Sequence, residues 1–172
     1  MKGSICASLL LVAMSAQAAD IVRYPLPDGN KFPIANAVEV PAGTTLVFQS
    51  GTTPSPKDAT ATAGSPEYWG DTKTQALSAF ANIKKGLDGE GVGFGDVVKM
   101  LVFLVGDPAN GGKMDFKGFM EAYTQYFGTP EQPNLPARST VQVAGLAAPG
   151  VMVEIELVLA KKTTMKSMKK GH

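Results

Sequence analysis

The chain has 172 residues, 44% of them hydrophobic and 18% charged, with a formal net charge of +1. That length holds one domain with a real core, and the composition is ordinary for a soluble globular protein. There is one cysteine, Cys6, and one histidine, His172.

The first residues read as an export signal. Lys2 precedes a short apolar run, Leu9 to Met14, which leads into Ser15-Ala16-Gln17-Ala18-Ala19. A basic residue, a short apolar region and an Ala-x-Ala site predict a secretory signal peptide over 1–18, cleaved after Ala18, and hence a periplasmic or secreted protein. The run is too short to span a bilayer as a permanent helix, so no membrane association is expected after cleavage. Cys6 precedes most of the run, where a lipid-bearing cysteine would follow it. Cleavage removes the only thiol, and the only histidine is the last residue. A disulfide, a thiol nucleophile, a zinc site and a histidine-based triad are thereby excluded from the domain. Chemistry falls to Arg, Glu, Asp, Tyr, Thr, backbone groups and water.

In chain order, Ile21 to Tyr24 is a short strand stopped by Pro25 and Pro27, and Asp28-Gly29-Asn30 is a turn. Val38-Glu39-Val40 and Leu46 to Ser50 read as two strands joined by residues 41–45. Residues 52–70, with Pro54, Pro56, Gly64 and Pro66, form a long loop. Asp71-Thr72 caps a helix whose apolar stripe is Ala76, Phe80, Ile83 and Leu87, ended by the glycines from Gly86 to Gly95. Those glycines follow a helix and precede a strand, the reverse of a dinucleotide-binding fingerprint. Asp96 to Val105 is a nearly continuous apolar run, predicting a central strand buried on both faces. A second helix is expected from Asp115 to Phe127, with Phe116, Phe119, Tyr123 and Phe127 on its core stripe. The last strands are Arg138–Ala144 and Val151–Ala160. On the final one, Val151, Val153, Ile155, Leu157 and Leu159 share a face opposite Glu154 and Glu156.

This order predicts one sheet with both helices on one face. Arg138, Thr140, Gln142, Glu154 and Glu156 are then expected on the face away from the helices, a half-polar surface that another subunit would cover. Residues 161–172 carry five lysines and no acid, a basic solvated tail. With Lys2 and those five set aside, 10 basic residues stand against 15 acidic ones, a net charge of −5, which argues against nucleic acid as a partner. Only two arginines occur, Arg23 and Arg138. Arg138 follows Pro136 and offers a planar fork that matches a carboxylate bidentately, which lysine does not.

Several stretches in order resemble the RidA/YjgF (Rid) reactive-intermediate deaminases: Phe48-Gln49-Ser50-Gly51, Thr74-Gln75-Ala76 through Asn82-Ile83, Gly95 to Lys99, Tyr123 to Phe127, Pro136-Ala137-Arg138-Ser139-Thr140, and Val153-Glu154-Ile155-Glu156. The resemblance runs from Phe32 to Ala160. It implies a chorismate-mutase-like α/β fold, with one mixed six-stranded sheet, two helices on one face, and a homotrimer with clefts between subunits. It implies hydrolysis of enamines or imines, such as 2-aminoacrylate, to 2-keto acids and ammonia, with no metal or organic cofactor. By that likeness Arg138 holds the substrate carboxylate, Glu154 orients the water, and Thr140 and Gly51 contact the ligand. Ile34 and Met120 stand where the family often has tyrosine and asparagine, so the pocket wall is more apolar. A non-catalytic binding protein for small carboxylates, using the same cleft, is the alternative. If the last two strands form a simple hairpin, Arg138 lies about four residues, roughly 13 Å, from the level of Glu154. Twist and a bulge, or a neighbouring subunit, must then complete the site.

Overall fold

The computed structural model describes residues 19–161. The expected signal peptide and nearly all of the lysine-rich tail lie outside the described residues. Lys161 still belongs to the last strand, and its Nζ donates to the Glu90 carbonyl at 2.6 Å.

The strands are β1 (Val22–Tyr24), β2 (Ala37–Glu39), β3 (Thr45–Thr52), β4 (Val97–Val105), β5 (Ala137–Val143) and β6 (Val153–Lys161). The helices are α1 (Pro66–Trp69), α2 (Thr72–Glu90) and α3 (Phe116–Tyr123). The strands do not form one six-stranded sheet. β1 and β2 pair antiparallel by themselves, and the other four follow the order β3-β6-β4-β5. The expected chorismate-mutase-like single sheet is therefore corrected to two sheets of two and four strands. One bridge, Ala35 to Ala137, links the N-terminal segment to β5. Pro33 and Pro136 flank that contact and have no N–H to extend it into a ladder. β2 likewise pairs with β1 and not with β3.

Both long helices do pack on one face of the four-stranded sheet. Asp71 caps α2 by accepting the Thr74 N–H at 2.8 Å, and the helix passes through Gly86 and Gly89 before Gly91 ends it. Its stripe of Ala76, Phe80, Ile83 and Leu87 is fully buried. α3 ends at Tyr123, four residues earlier than its apolar spacing suggests, but Phe127 remains in the core. Beneath the helices lie Met100, Val102 and Leu104 of β4 and Val153, Ile155, Leu157 and Leu159 of β6. Each large side chain so buried contributes roughly 1.5–3 kcal/mol. The other side of β4 is only half-buried at Leu101, Phe103 and Val105, so the strand is not buried on both faces within one chain.

The second correction concerns β5. It pairs with β4, in parallel, and β4 pairs with β6, so the last two strands never touch as a hairpin. Arg138 is the partner of Met100, Thr140 of Val102 and Gln142 of Leu104, which places all three on the helix side. Glu154 and Glu156 partner Phe103 and Leu101 on the open side. A parallel pair needs a crossover, and α3 supplies it.

Candidate active site

Arg138 leaves the edge strand beneath α3 and enters a cage of aromatic rings. Its guanidinium carbon is 4.3 Å from the Tyr123 ring centre, 5.2 Å from Phe119, 5.5 Å from Phe32 and 5.8 Å from Phe116. Cation–π attraction and a hydrogen bond to the Tyr123 hydroxyl hold the fork in place. None of the ion pairs among the described residues includes Arg138, and its buried Nη1 has no hydrogen-bond partner in the chain. Burial lowers its pKa from the usual guanidinium value, with Tyr123 opposing the shift. Tyr123 donates its hydroxyl proton to the Pro33 carbonyl at 2.9 Å, which fixes the segment carrying Phe32 over the cage. Burial pushes that phenol well above the ordinary tyrosine range, and the Arg138 charge opposes it.

Two residues along the same face, Thr140 has a buried Oγ1 that is also without a partner. Ile34 lies between Phe32 of the cage and the Ala35–Ala137 bridge. Met120 stands on α3 one turn from both Phe116 and Tyr123. Gln142 is a brace. It accepts the Met114 N–H at 2.9 Å and donates to the Gly112 carbonyl at 3.0 Å, tying the loop before α3 to β5. Ile34 lines a separate pocket with Arg23 and Tyr24, and Met120 is partly buried against the core, so only Arg138 and Thr140 are brought together, as one half of a candidate site.

Gly51 and Glu154 form another. A Cβ at Gly51 would overlap the Glu154 carboxylate, so only glycine lets that side chain lie against the β3 backbone. A bulge in the β3–β6 register, between Gln49 and Thr52, sets this approach. Glu154 is half-buried and Glu156 is exposed. The halves lie apart: Glu154 is level with Val141 across two strand spacings, and Arg138 is three residues back, roughly 14 Å away and on the opposite face of the sheet. No twist of this sheet brings them together in one chain.

Helical periodicity puts Phe116, Phe119 and Tyr123 in a core stripe and gives Phe32 no role, so it misses the cage. The signal is nevertheless present in the chain. A strand, a helix and a strand in succession imply a parallel pair, which moves Arg138 under the helix that carries those rings.

Residues 29–161 match the family model described as Endoribonuclease L-PSP. The chain belongs to that family, the RidA/YjgF group. Protein DfrA of Myxococcus xanthus, a relative, is 35% identical over 127 residues, 73% of this chain and 83% of that one. A RutC family protein of Pyrococcus horikoshii is 34% identical over 93 residues, 54% of this chain and 65% of its own length, so under two thirds of that relative is spanned. TdcF of Escherichia coli, whose provisional name is reactive intermediate deaminase, is 34% identical over 91 residues, 53% of this chain and 64% of its own. The crystal structure of E. coli TdcF with bound serine superposes with a TM-score of 0.53 at 30% identity, covering 81% of this chain and 94% of that one.

Proposed function

We propose that the protein hydrolyses reactive enamine or imine acids, such as 2-aminoacrylate, to 2-keto acids and ammonia, in a cleft closed by a second copy of the chain. The observation that carries this reading is the Arg138 fork, held among rings with an unpartnered buried Nη1. That is a prepared seat for a carboxylate. The Thr140 hydroxyl lies on the same face for a further contact.

In the proposed reaction the enamine tautomerises to an imine, and a water polarised by Glu154 adds its oxygen to the imine carbon. The proton released to Glu154 passes to the nitrogen. The hydroxyl of the resulting carbinolamine then gives up its own proton, which also goes to the nitrogen, and the C–N bond breaks so that ammonia leaves as the carbonyl forms. Positioning plus general-base help of this kind supplies roughly 10²–10⁴-fold. Glu154 belongs to a neighbouring chain in this scheme, because its own chain holds it on the wrong side of the sheet from Arg138. The open face favours such an assembly. It presents Phe48, 75% exposed, with Leu46 and Val141 also exposed, an apolar surface that self-association would cover. We take the assembly to be a homotrimer, as the resemblance implies.

The test is ammonia and pyruvate release from 2-aminoacrylate generated in situ. The wild type should accelerate it above the buffer rate, and Arg138→Ala should not; equal rates in the two proteins would remove Arg138 from the reaction. The serine in the E. coli TdcF crystal favours a second reading, a non-catalytic holder of small carboxylates. Arg138-dependent binding of 2-keto acids without turnover would select it.

A further inference from the structure

The long loop between β3 and α2 borders an open cavity of about 600 Å³ that belongs to neither half-site. Its walls are the loop and α1 on one side, and the ends of β4 and β6 on the other. Val105, Pro108, Val151 and Met152 make much of it apolar, and three charged residues, Lys57, Asp71 and Asp107, are among its lining. The volume is in the range of small-molecule sites, roughly 300–1,000 Å³.

The walls are fastened by buried polar contacts. Gln75, with no solvent exposure, donates to the carbonyls of Gly70 and Gly150 at 3.1 Å each and accepts the Met152 N–H at 2.7 Å. One side chain thus ties together three residues that line the cavity from two sides. Trp69 donates its indole N–H to the Pro149 carbonyl at 2.9 Å, and the backbone N–H groups of Lys57 and Asp58 both reach the Tyr68 carbonyl. Gly150, at φ +79°, has no room for a Cβ between Gly64 and Trp69. The loop is built against the sheet, and the cavity is formed in advance of any guest.

The lining carries two carboxylates, Asp71 and Asp107, against one lysine, Lys57, and none of the ion pairs among the described residues includes any of the three. Lys57 acts on acids at the rim: the carboxyls of Asp58, Glu67 and Asp71 are held below the ordinary carboxylate range, first by hydrogen bonds from Thr60, Glu67 itself and Thr74, and then by Lys57. Asp107 is different. It is 9% exposed, its Oδ1 accepts the Ala109 N–H at 2.8 Å, and none of the ion pairs among the described residues includes it. A buried carboxylate has room for about four hydrogen bonds and is costly to leave without a cation.

We propose that this cavity is a second binding site, for a small organic ammonium ion with an apolar body, its charged head on Asp107. The apolar walls take the body, and the carboxylate selects the cation over a neutral molecule of the same shape. The site is independent of the Arg138 cleft.

Calorimetric titration of the full chain with cyclohexylammonium and with cyclohexanol tests it. Cyclohexylammonium should bind the wild type and Arg138→Ala with the same Kd. Asp107→Asn should weaken it by about tenfold or more while leaving cyclohexanol unchanged. Equal affinity of the wild type for the two guests, or a loss in Arg138→Ala, would overturn the proposal. Ala109→Trp, on the exposed rim of the cavity, decides the matter if Asp107→Asn does not fold: it should weaken both guests, and unchanged ammonium binding there would also overturn the proposal.

Discussion

Two arginines occur in the domain, and they are used in opposite ways. Arg23 spends its fork on the backbone. Its Nη1 donates to the carbonyls of Val97 at 2.9 Å and Leu135 at 2.7 Å, and its Nη2 to that of Gly95 at 3.1 Å, so β1 is tied to the start of β4 and the approach to β5. Burial lowers its pKa, and Asp96 opposes the shift. Arg138 is held by ring faces, and its buried Nη1 is without a partner. Fixing a guanidinium largely by its π-surface keeps a donor, here Nη1, for a ligand, whereas fixing it by its donors makes it a fastener. Residue type alone does not separate the two, but the accounting of donors does.

The largest expected effect that separates them is catalytic. Arg138→Ala should lower imine hydrolysis per folded molecule by about a hundredfold or more, a loss typical of removing an electrostatic clamp. The reverse split is expected for Arg23→Met, which leaves three carbonyls without their donor. It should cost about 2–3 kcal/mol by urea denaturation, while activity per folded molecule is kept. An Arg23→Met protein that is stable but inactive would erase the distinction.

A smaller effect sharpens the Arg138 side. Tyr123→Phe removes the bond to Pro33 and should cost about 1 kcal/mol, with a weaker hold on Phe32 over the cage. Its pH dependence has a definite sign. The Tyr123 phenol is raised in the folded state by burial, so the stability it contributes is full below the unfolded tyrosine pKa of about 10 and is lost as pH rises above that value. Urea midpoints of the wild type should therefore fall more steeply above pH 10 than those of Tyr123→Phe. Parallel curves would place the phenol in contact with solvent.

Much of this is legible in the chain. The Asp71 cap, the stripe from Ala76 to Leu87 and the buried face from Val151 to Leu159 follow from local periodicity, and local periodicity decides them. Arg138 itself is legible from its residue type and its place after Pro136. Its face is not. Alternation fixes which residues of β5 share a side, but the partner strand fixes which side that is, and a parallel partner reached through α3 reverses the expectation from a hairpin. That β1 and β2 stay out of the main sheet turns on a single long-range bridge, Ala35 to Ala137, which short-range pattern does not encode. The reversal of β5 is also what puts Arg138 and Glu154, expected on one face of the sheet, on opposite faces.

That separation gives the most direct test. Arg138→Ala and Glu154→Gln chains, each inactive alone, should be co-expressed with different tags and the mixed assembly isolated. If each site takes its arginine from one copy and its glutamate from the next, every isolated mixed trimer has one site in three with both residues intact, and roughly a third of the wild-type rate of ammonia release should return. A mixed assembly as inactive as either parent would mean that both residues act from one chain, and would contradict a site shared between copies.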